Sequence, residues 1–216
     1  MPETLIRPYR TADRAALFEI GGDTALFGAP IEAYLDDRRI FLDSFYAYYT
    51  DYEPEHIWIA EVDGQVGGFI TGCTDTATQE RITRQKLMPV VWRRALTFQY
   101  RVGWKTLGYI YRMIRTGLLH EYPEVDLSEY PAHLHINLRA NCRGLGLGKG
   151  LMQAWLDQLR ELGIKGVHLG TTDQNVAACK LYEKMGFEIL AARKSRMWGR
   201  LVDGPVEIRT YGRRIE

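Results

Sequence analysis

Cysteine is scarce in this 216-residue chain. Its three cysteines, Cys73, Cys142 and Cys179, are too few and odd in number for a disulfide framework, and they read as reduced thiols of a cytoplasmic protein. Net charge is scarce as well. Lys and Arg total 28 against 27 for Asp and Glu, a formal charge of +1, which argues against a dedicated nucleic-acid binder with its usual basic excess. No stretch approaches the roughly 18 uninterrupted apolar residues of a membrane span. The most apolar stretch, 95–114, is broken by Arg101, Lys105 and Arg112. The first ten residues lack the apolar centre of a signal peptide. What is present suffices for a core. With 46% apolar residues, 12% aromatics and a mean hydropathy of −0.26, the chain suits one globular domain over 1–216 and excludes disorder.

Local pattern divides the chain into three parts. Residues 4–10 alternate as an opening strand, and 12–20 and 31–49 read as helices, the second carried by Ile31, Tyr34, Leu35, Arg38 and Leu42 and unusually rich in Tyr and Phe. Residues 56–62 and 65–71 are apolar runs joined by Asp63-Gly64, a strong hairpin signal. The opening is therefore β-α-α-β-β. After residue 130 the sequence predicts a strand at 133–138, a glycine-rich turn at 143–150, and a helix to about 162. A strand at 165–171, a helix at 173–184 and strands at 187–193 and 206–211 follow.

Between these parts lies a basic segment. Residues 81–117 hold nine basic side chains and no Asp or Glu, so the rest carries 19 basic against 27 acidic residues, a formal −8. Six aromatics are interleaved, and two or three helices are expected, broken near Pro89 and Gly103. Two readings stay open for this 81–120 helical insertion. Its aromatics pack on the domain while the arginines are solvated, or it forms a basic lid facing an anionic ligand or a membrane surface. Glu121, Glu124, Asp126 and Glu129 follow at once and could neutralise part of the charge.

The chemistry sits in Arg143-Gly144-Leu145-Gly146-Leu147-Gly148-Lys149-Gly150. Glycines let a backbone turn tightly and approach a ligand, and the free amides at the start of the next helix favour an anion. The segment fails both the Walker loop and the dinucleotide fingerprint, since the residues those patterns require are absent. What fits is Arg-x-x-Gly-x-Gly at Arg143, Gly146 and Gly148, after the strand ending at Leu138. It is joined by Asn175-x-x-Ala178-x-x-Leu181-Tyr182-Glu183-Lys184-Met185-Gly186-Phe187. These two motifs resemble the signatures of the GNAT superfamily of N-acetyltransferases, and the likeness covers 3–74 and 130–194. Glu129–Leu138 and Gly166–Gly170 are similar to one bacterial branch, related to the acetyltransferase-like region of O-GlcNAc hydrolases.

The resemblance implies an α/β fold: a mixed, mostly antiparallel sheet flanked by helices, splayed between the strands at 133–138 and 165–171. It implies acetyl-CoA as co-substrate. The amides from Arg143 through Gly144, Leu145, Gly146, Leu147 and Gly148 to Lys149 would hold the pyrophosphate, with the Arg143 and Lys149 side chains at the phosphates. The backbone of Leu138, with Asn175 and Ala178, would meet the pantetheine arm. Tyr182 would stand near the sulfur to protonate or stabilise the departing thiolate.

His133, His135 and Asn137 share a strand face by period two, so a histidine acting directly or through water is the candidate base, with Glu129 and Asp126 as alternatives. Asn137 stands where members of that branch often have Asp. The two histidines have metal-ligand spacing, but no third ligand declares itself, and no metal is expected. Cys142 and Cys179 flank the motifs without an evident base.

The expected reaction is direct acetyl transfer to a primary amine of a small molecule or a protein. The basic insertion suggests an anionic or zwitterionic acceptor. A non-catalytic acyl-CoA-binding module is the alternative, and a third reading makes 81–117 a membrane-surface anchor. Neither nucleic acid nor membrane is the expected partner; a homodimer is allowed.

Overall fold

The computed structural model describes residues 2–199 and 202–215. The first part contains β1 (Thr4–Pro8), α1 (Arg14–Asp23), α2 (Arg38–Phe41), α3 (Ala47–Tyr52), β2 (Trp58–Val62) and β3 (Gln65–Cys73). The middle segment contributes α4 (Thr76–Ile82), α5 (Met88–Leu96) and α6 (Trp104–Leu118). The last part runs β4 (Ala132–Leu138), α7 (Leu147–Glu161), β5 (Gly166–Thr172), α8 (Val176–Lys184), β6 (Glu188–Ser195) and β7 (Val206–Arg214).

The strands form one sheet in the order β1-β2-β3-β4-β5-β7-β6, and every neighbouring pair is antiparallel except β4 with β5. The Asp63-Gly64 hairpin joins β2 to β3, both turn residues having positive φ as its tight geometry requires. Strand alternation sends Ala60 and Ile70 to one face and Ile59 and Phe69 to the other. On the first face the apolar stripe of α7, from Leu147 to Leu159, buries Leu151, Trp155 and Leu156 completely. On the second face α1 and the tyrosines of 46–49 cover the sheet.

Two local expectations are corrected. The helix expected over 31–49 is interrupted: a 3-10 turn at Ile31–Ala33 ends before Asp36, and α2 restarts after Asp37, whose carboxylate accepts the Arg39 amide at 3.1 Å. Ile31, Tyr34 and Leu35 are helically spaced, yet they build a separate small core with Leu26. Asp36 is drawn away to α6, where it accepts the Gly103 and Thr106 amides at 2.8 and 3.0 Å and serves that helix N-terminus. Nor does Pro89 break the insertion. It enters in the first turn of α5, directly after a π-helical stretch at Thr83–Leu87 that widens the ladder where the missing amide would fall. The break at Gly103 is present, at the start of α6.

Candidate active site

Parallel pairing of β4 with β5 ends almost as it begins. Only Ala132 with Val167 and His133 with His168 are in register, and beyond them the strands part. The β5-facing edge of β4 from Leu134 to Leu138 is therefore unpaired. A cavity of about 820 Å³ enters this wedge, lined there by Leu134–Asn137, Gly170–Thr172, Asn175 and Tyr182.

At the mouth of the wedge stands the glycine-rich turn. Gly144 and Gly146 have φ of +82° and +79°, and a Cβ on either would point into open space. The amides from Gly144 to Lys149 have no acceptor among the described residues; the first helical bond runs from the Gly150 amide to the Gly146 carbonyl at 3.1 Å. That leaves a cluster of bare donors at a helix N-terminus, the arrangement that binds phosphate. Two details differ from expectation. The Arg143 amide is already donated to the Ala140 carbonyl, so the bare amides begin at Gly144. Gly148 faces protein, since a Cβ there would lie 3.2 Å from Leu181.

Asn175 precedes α8 without capping it, and Asp173 instead accepts the Glu207 amide. The Asn175 side chain is thus left for the wedge. Tyr182 is buried on α8, lines the cavity, and its hydroxyl has no hydrogen-bond partner among the described residues. Burial raises its pKa above the ordinary phenol value, so it stands as a protonated donor.

His133, His135 and Asn137 do share one face of β4, and the residues they meet were not foreseen. The Tyr46 hydroxyl donates to Asn137 Oδ1 at 3.0 Å, and Asn137 Nδ2 donates to Thr24 Oγ1 at 2.7 Å. Asn137 is therefore clamped, with no basic site to spare. His133 sits between Thr76 and Tyr49. The Thr76 hydroxyl donates to the Pro131 carbonyl at 2.7 Å, which uses its single hydrogen, so His133 Nδ1 must donate to Thr76 at 2.9 Å. His133 Nε2 then accepts from the Tyr49 hydroxyl at 2.6 Å, and His135 Nε2 must donate to the Tyr49 oxygen at 3.1 Å. Hydrogen counting along this chain leaves His135 Nδ1 as a lone pair with no partner among the described residues. Burial lowers the pKa of His133 well below 6.5 and that of His135 to about 3, so both are neutral.

The other candidates lie elsewhere. Glu129 pairs with Arg214 at 2.6 Å, Asp126 is bound by Ser128, and neither lines the cavity. Cys142 and Cys179 are buried free thiols. Cys73 lies 3.2 Å from His133, but burial pushes its thiol up to about 12, which leaves it inert. Among the described residues no cluster of His, Cys, Asp and Glu could hold a metal ion.

The segment from Met88 to Met113 walls the far side of the cavity through Met88, Val91, Tyr109 and Met113. Not one of the nine basic side chains of 81–117 lines the cavity, nor does any described Asp or Glu. The wall that suggested an anionic or zwitterionic acceptor is apolar. Of the acids at 121–129, only Glu121 pairs with the basic segment, through Arg115.

The sequence profile of the acetyltransferase (GNAT) family matches residues 29–187. The crystal structure of a protein called SsHAT is similar over 100% of both chains, with 30% identity and a TM-score of 0.74. The structure of yncA from Salmonella typhimurium, determined with acetyl-CoA, has 16% identity and a TM-score of 0.57 over 99% of this chain and 94% of that one. A mycothiol acetyltransferase of Geodermatophilus obscurus is 40% identical over 52 residues, 24% of this chain and 17% of the relative's own length.

Proposed function

The chain belongs to the acetyltransferase (GNAT) family, and on that premise we propose that it moves the acetyl group of acetyl-CoA to the primary amine of an acceptor with an apolar body. The observation that carries this reading is the junction of a splayed β4–β5 wedge with an apolar cavity at the unpartnered Nδ1 of His135.

The residues fit the donor. The bare amides of 144–149 would hold the pyrophosphate, Lys149 and Arg143 would stand near its charge, and the open edge of β4 to Leu138 would bind the pantetheine amides, with Asn175 and Ala178 on the opposite side. Acetyl-CoA supplies an activated thioester. His135 Nδ1 accepts a hydrogen bond from the neutral amine and aims it, and takes the proton as the nitrogen becomes acidic on bonding carbon. Asn137, held by Tyr46 and Thr24, keeps that strand face in register. Tyr182 donates to the departing sulfur. Its high pKa makes it a hydrogen-bond donor more than a source of a free proton. Positioning in a dry site supplies most of the acceleration.

The apolar lining supports an amine on a hydrophobic scaffold, a small molecule or an exposed protein terminus. The stretches Glu129–Leu138 and Gly166–Gly170 support a place near the bacterial branch related to O-GlcNAc hydrolases. The three free, buried cysteines support a cytoplasmic setting.

The test is release of free CoA, with mass detection of product, on incubating acetyl-CoA with alkyl, aryl, acidic and polycationic amines. Turnover is expected with the alkyl and aryl amines. Acetyl-CoA binding without consumption of any amine would instead favour the non-catalytic acyl-CoA-binding module.

A further inference from the structure

The segment from α5 to α6 carries an exposed apolar surface that reaches from the cavity rim, at Leu107 and Ile114, to Phe98 and Trp104 outside it. On α6, Trp104, Leu107, Tyr111, Ile114 and Leu118 recur at spacings of three and four, which places them on one helical face. That is the spacing of a packed helix seam, yet all five are exposed, Trp104 by 88% and Leu118 by 75%. The end of α5 and the link to α6 add Leu96, Phe98 and Val102, also exposed. Phe98 is the most unusual. It ends α5 in the left-handed region at φ +57°, where glycine is usual, and the Gln99 amide closes the turn on the Arg94 carbonyl at 2.9 Å. A bulky aromatic is thus held in an unfavourable backbone conformation with 92% of its surface in water. Nothing among the described residues repays that placement.

The charges around this surface select its partner. Of the nine basic residues of 81–117, Arg94 pairs with Asp43 and Arg115 with Glu121. Arg93 on α5, Arg101 in the link and Lys105 on α6 are exposed and have no ion pair among the described residues, Lys105 donating only to the Glu32 carbonyl at 3.2 Å. Exposed aromatics and leucines flanked by unpaired cations suit the boundary between headgroups and acyl chains, where the rings bury and the cations meet anionic lipid. A second copy of the same face would bring like charges together. No described helix is long and apolar enough to cross a membrane, so the contact is peripheral.

We propose that the α5–α6 surface, led by Phe98 and Trp104, docks this protein on an anionic lipid bilayer. Trp92, Leu107 and Ile114 are exposed and also line the cavity, so docking would turn its mouth towards the lipid. The proposal is independent of acetyl transfer.

It is tested by co-sedimentation of the full chain with vesicles of phosphatidylcholine alone or with about a third phosphatidylserine, at low and high salt. Binding at least about tenfold tighter to the anionic vesicles, weakened by salt, is expected. Phe98→Ser with Trp104→Ser should abolish it while leaving the thermal midpoint unchanged, because both side chains are in solvent and neither lines the cavity. Arg93→Glu with Arg101→Glu should also abolish it. No binding to anionic vesicles at low salt would overturn the proposal. So would a concentration-dependent dimer, lost in Phe98→Ser with Trp104→Ser, that forms without any affinity for vesicles.

Discussion

The Tyr49 hydroxyl donates to His133 Nε2 at 2.6 Å, and that bond decides which nitrogen of His135 is left free. With its hydrogen committed to His133, Tyr49 can only accept from His135 Nε2, which puts the His135 lone pair on Nδ1. In the proposed mechanism Tyr49 and His133 are thus positioning residues, buried behind His135. Burial keeps the Tyr49 phenol protonated, as this role needs.

Tyr49→Phe keeps the ring and removes the donor. His135 should lose its fixed tautomer, and kcat should fall about tenfold or more while KM for acetyl-CoA is unchanged. Two buried nitrogens lose their partner, at about 1–3 kcal/mol of stability. Nitrogen NMR of His135 should show one tautomer in the parent and a mixture in the variant. A single unchanged tautomer would show that Tyr49 only packs.

Acid should destabilise the fold earlier than its carboxylates require. His135 titrates near 3 when folded and 6.5 when unfolded, and His133 is shifted the same way. The unfolded chain takes up protons first, so stability is full above about pH 6.5 and falls as pH drops, by about 1.4 kcal/mol per unit for each histidine. Asp13 and Asp37 are held low by Arg7 and Arg39, so their contribution is lost only below the ordinary carboxylate range. Urea unfolding between pH 7 and 5 isolates the histidines. A flat profile there would contradict their neutral burial.

The same shift fixes the pH–rate profile. His135 stays neutral through the working range, so the rise of kcat/KM with pH should follow the ionisation of the acceptor amine. Two acceptors of different basicity should give different midpoints. One midpoint near 6.5 for both would mean that an ordinary histidine controls the rate.

Tyr182→Phe removes the proposed donor to the leaving sulfur and should lower turnover by roughly 10²–10³. Acetyl-CoA affinity should be nearly kept, since the ring remains. An unchanged chemical rate would make Tyr182 a packing residue.

Gly146→Val tests the cradle. Its Cβ meets no protein atom, so the cost to the fold is confined to the left-handed backbone, about 1–2 kcal/mol. Acetyl-CoA should bind at least about tenfold more weakly, a change of about 1.4 kcal/mol or more by calorimetry. Gly148→Val is a poorer probe, because its side chain would strike Leu181.

The strands, α7, α8 and the glycine turn were legible because local periodicity and punctuation determine them. The shared face of His133, His135 and Asn137 was legible for the same reason. What pairs with that face was not. Tyr46 and Tyr49 are one helical turn apart and meet strand residues two apart, Asn137 and His135, from about 90 positions away. The crowd of aromatics at 45–49 was the only hint, since a surface helix has no need of so many. The interruption at 34–37 was hidden because Asp36 and Asp37 cap helices, one of them distant in sequence. In the insertion, charge was visible and direction was not, so a wall expected to be basic is apolar within and basic without.

The most direct measurement is a single turnover of preloaded acetyl-CoA with an aryl-alkyl amine, comparing the parent with His135→Ala by mass detection of the acetylated amine. Both should bind acetyl-CoA equally, the parent should convert its bound equivalent, and the variant should be slower by about 10²-fold or more. Equal rates in parent and variant, or no acetylated amine from a parent that holds acetyl-CoA, would contradict the account.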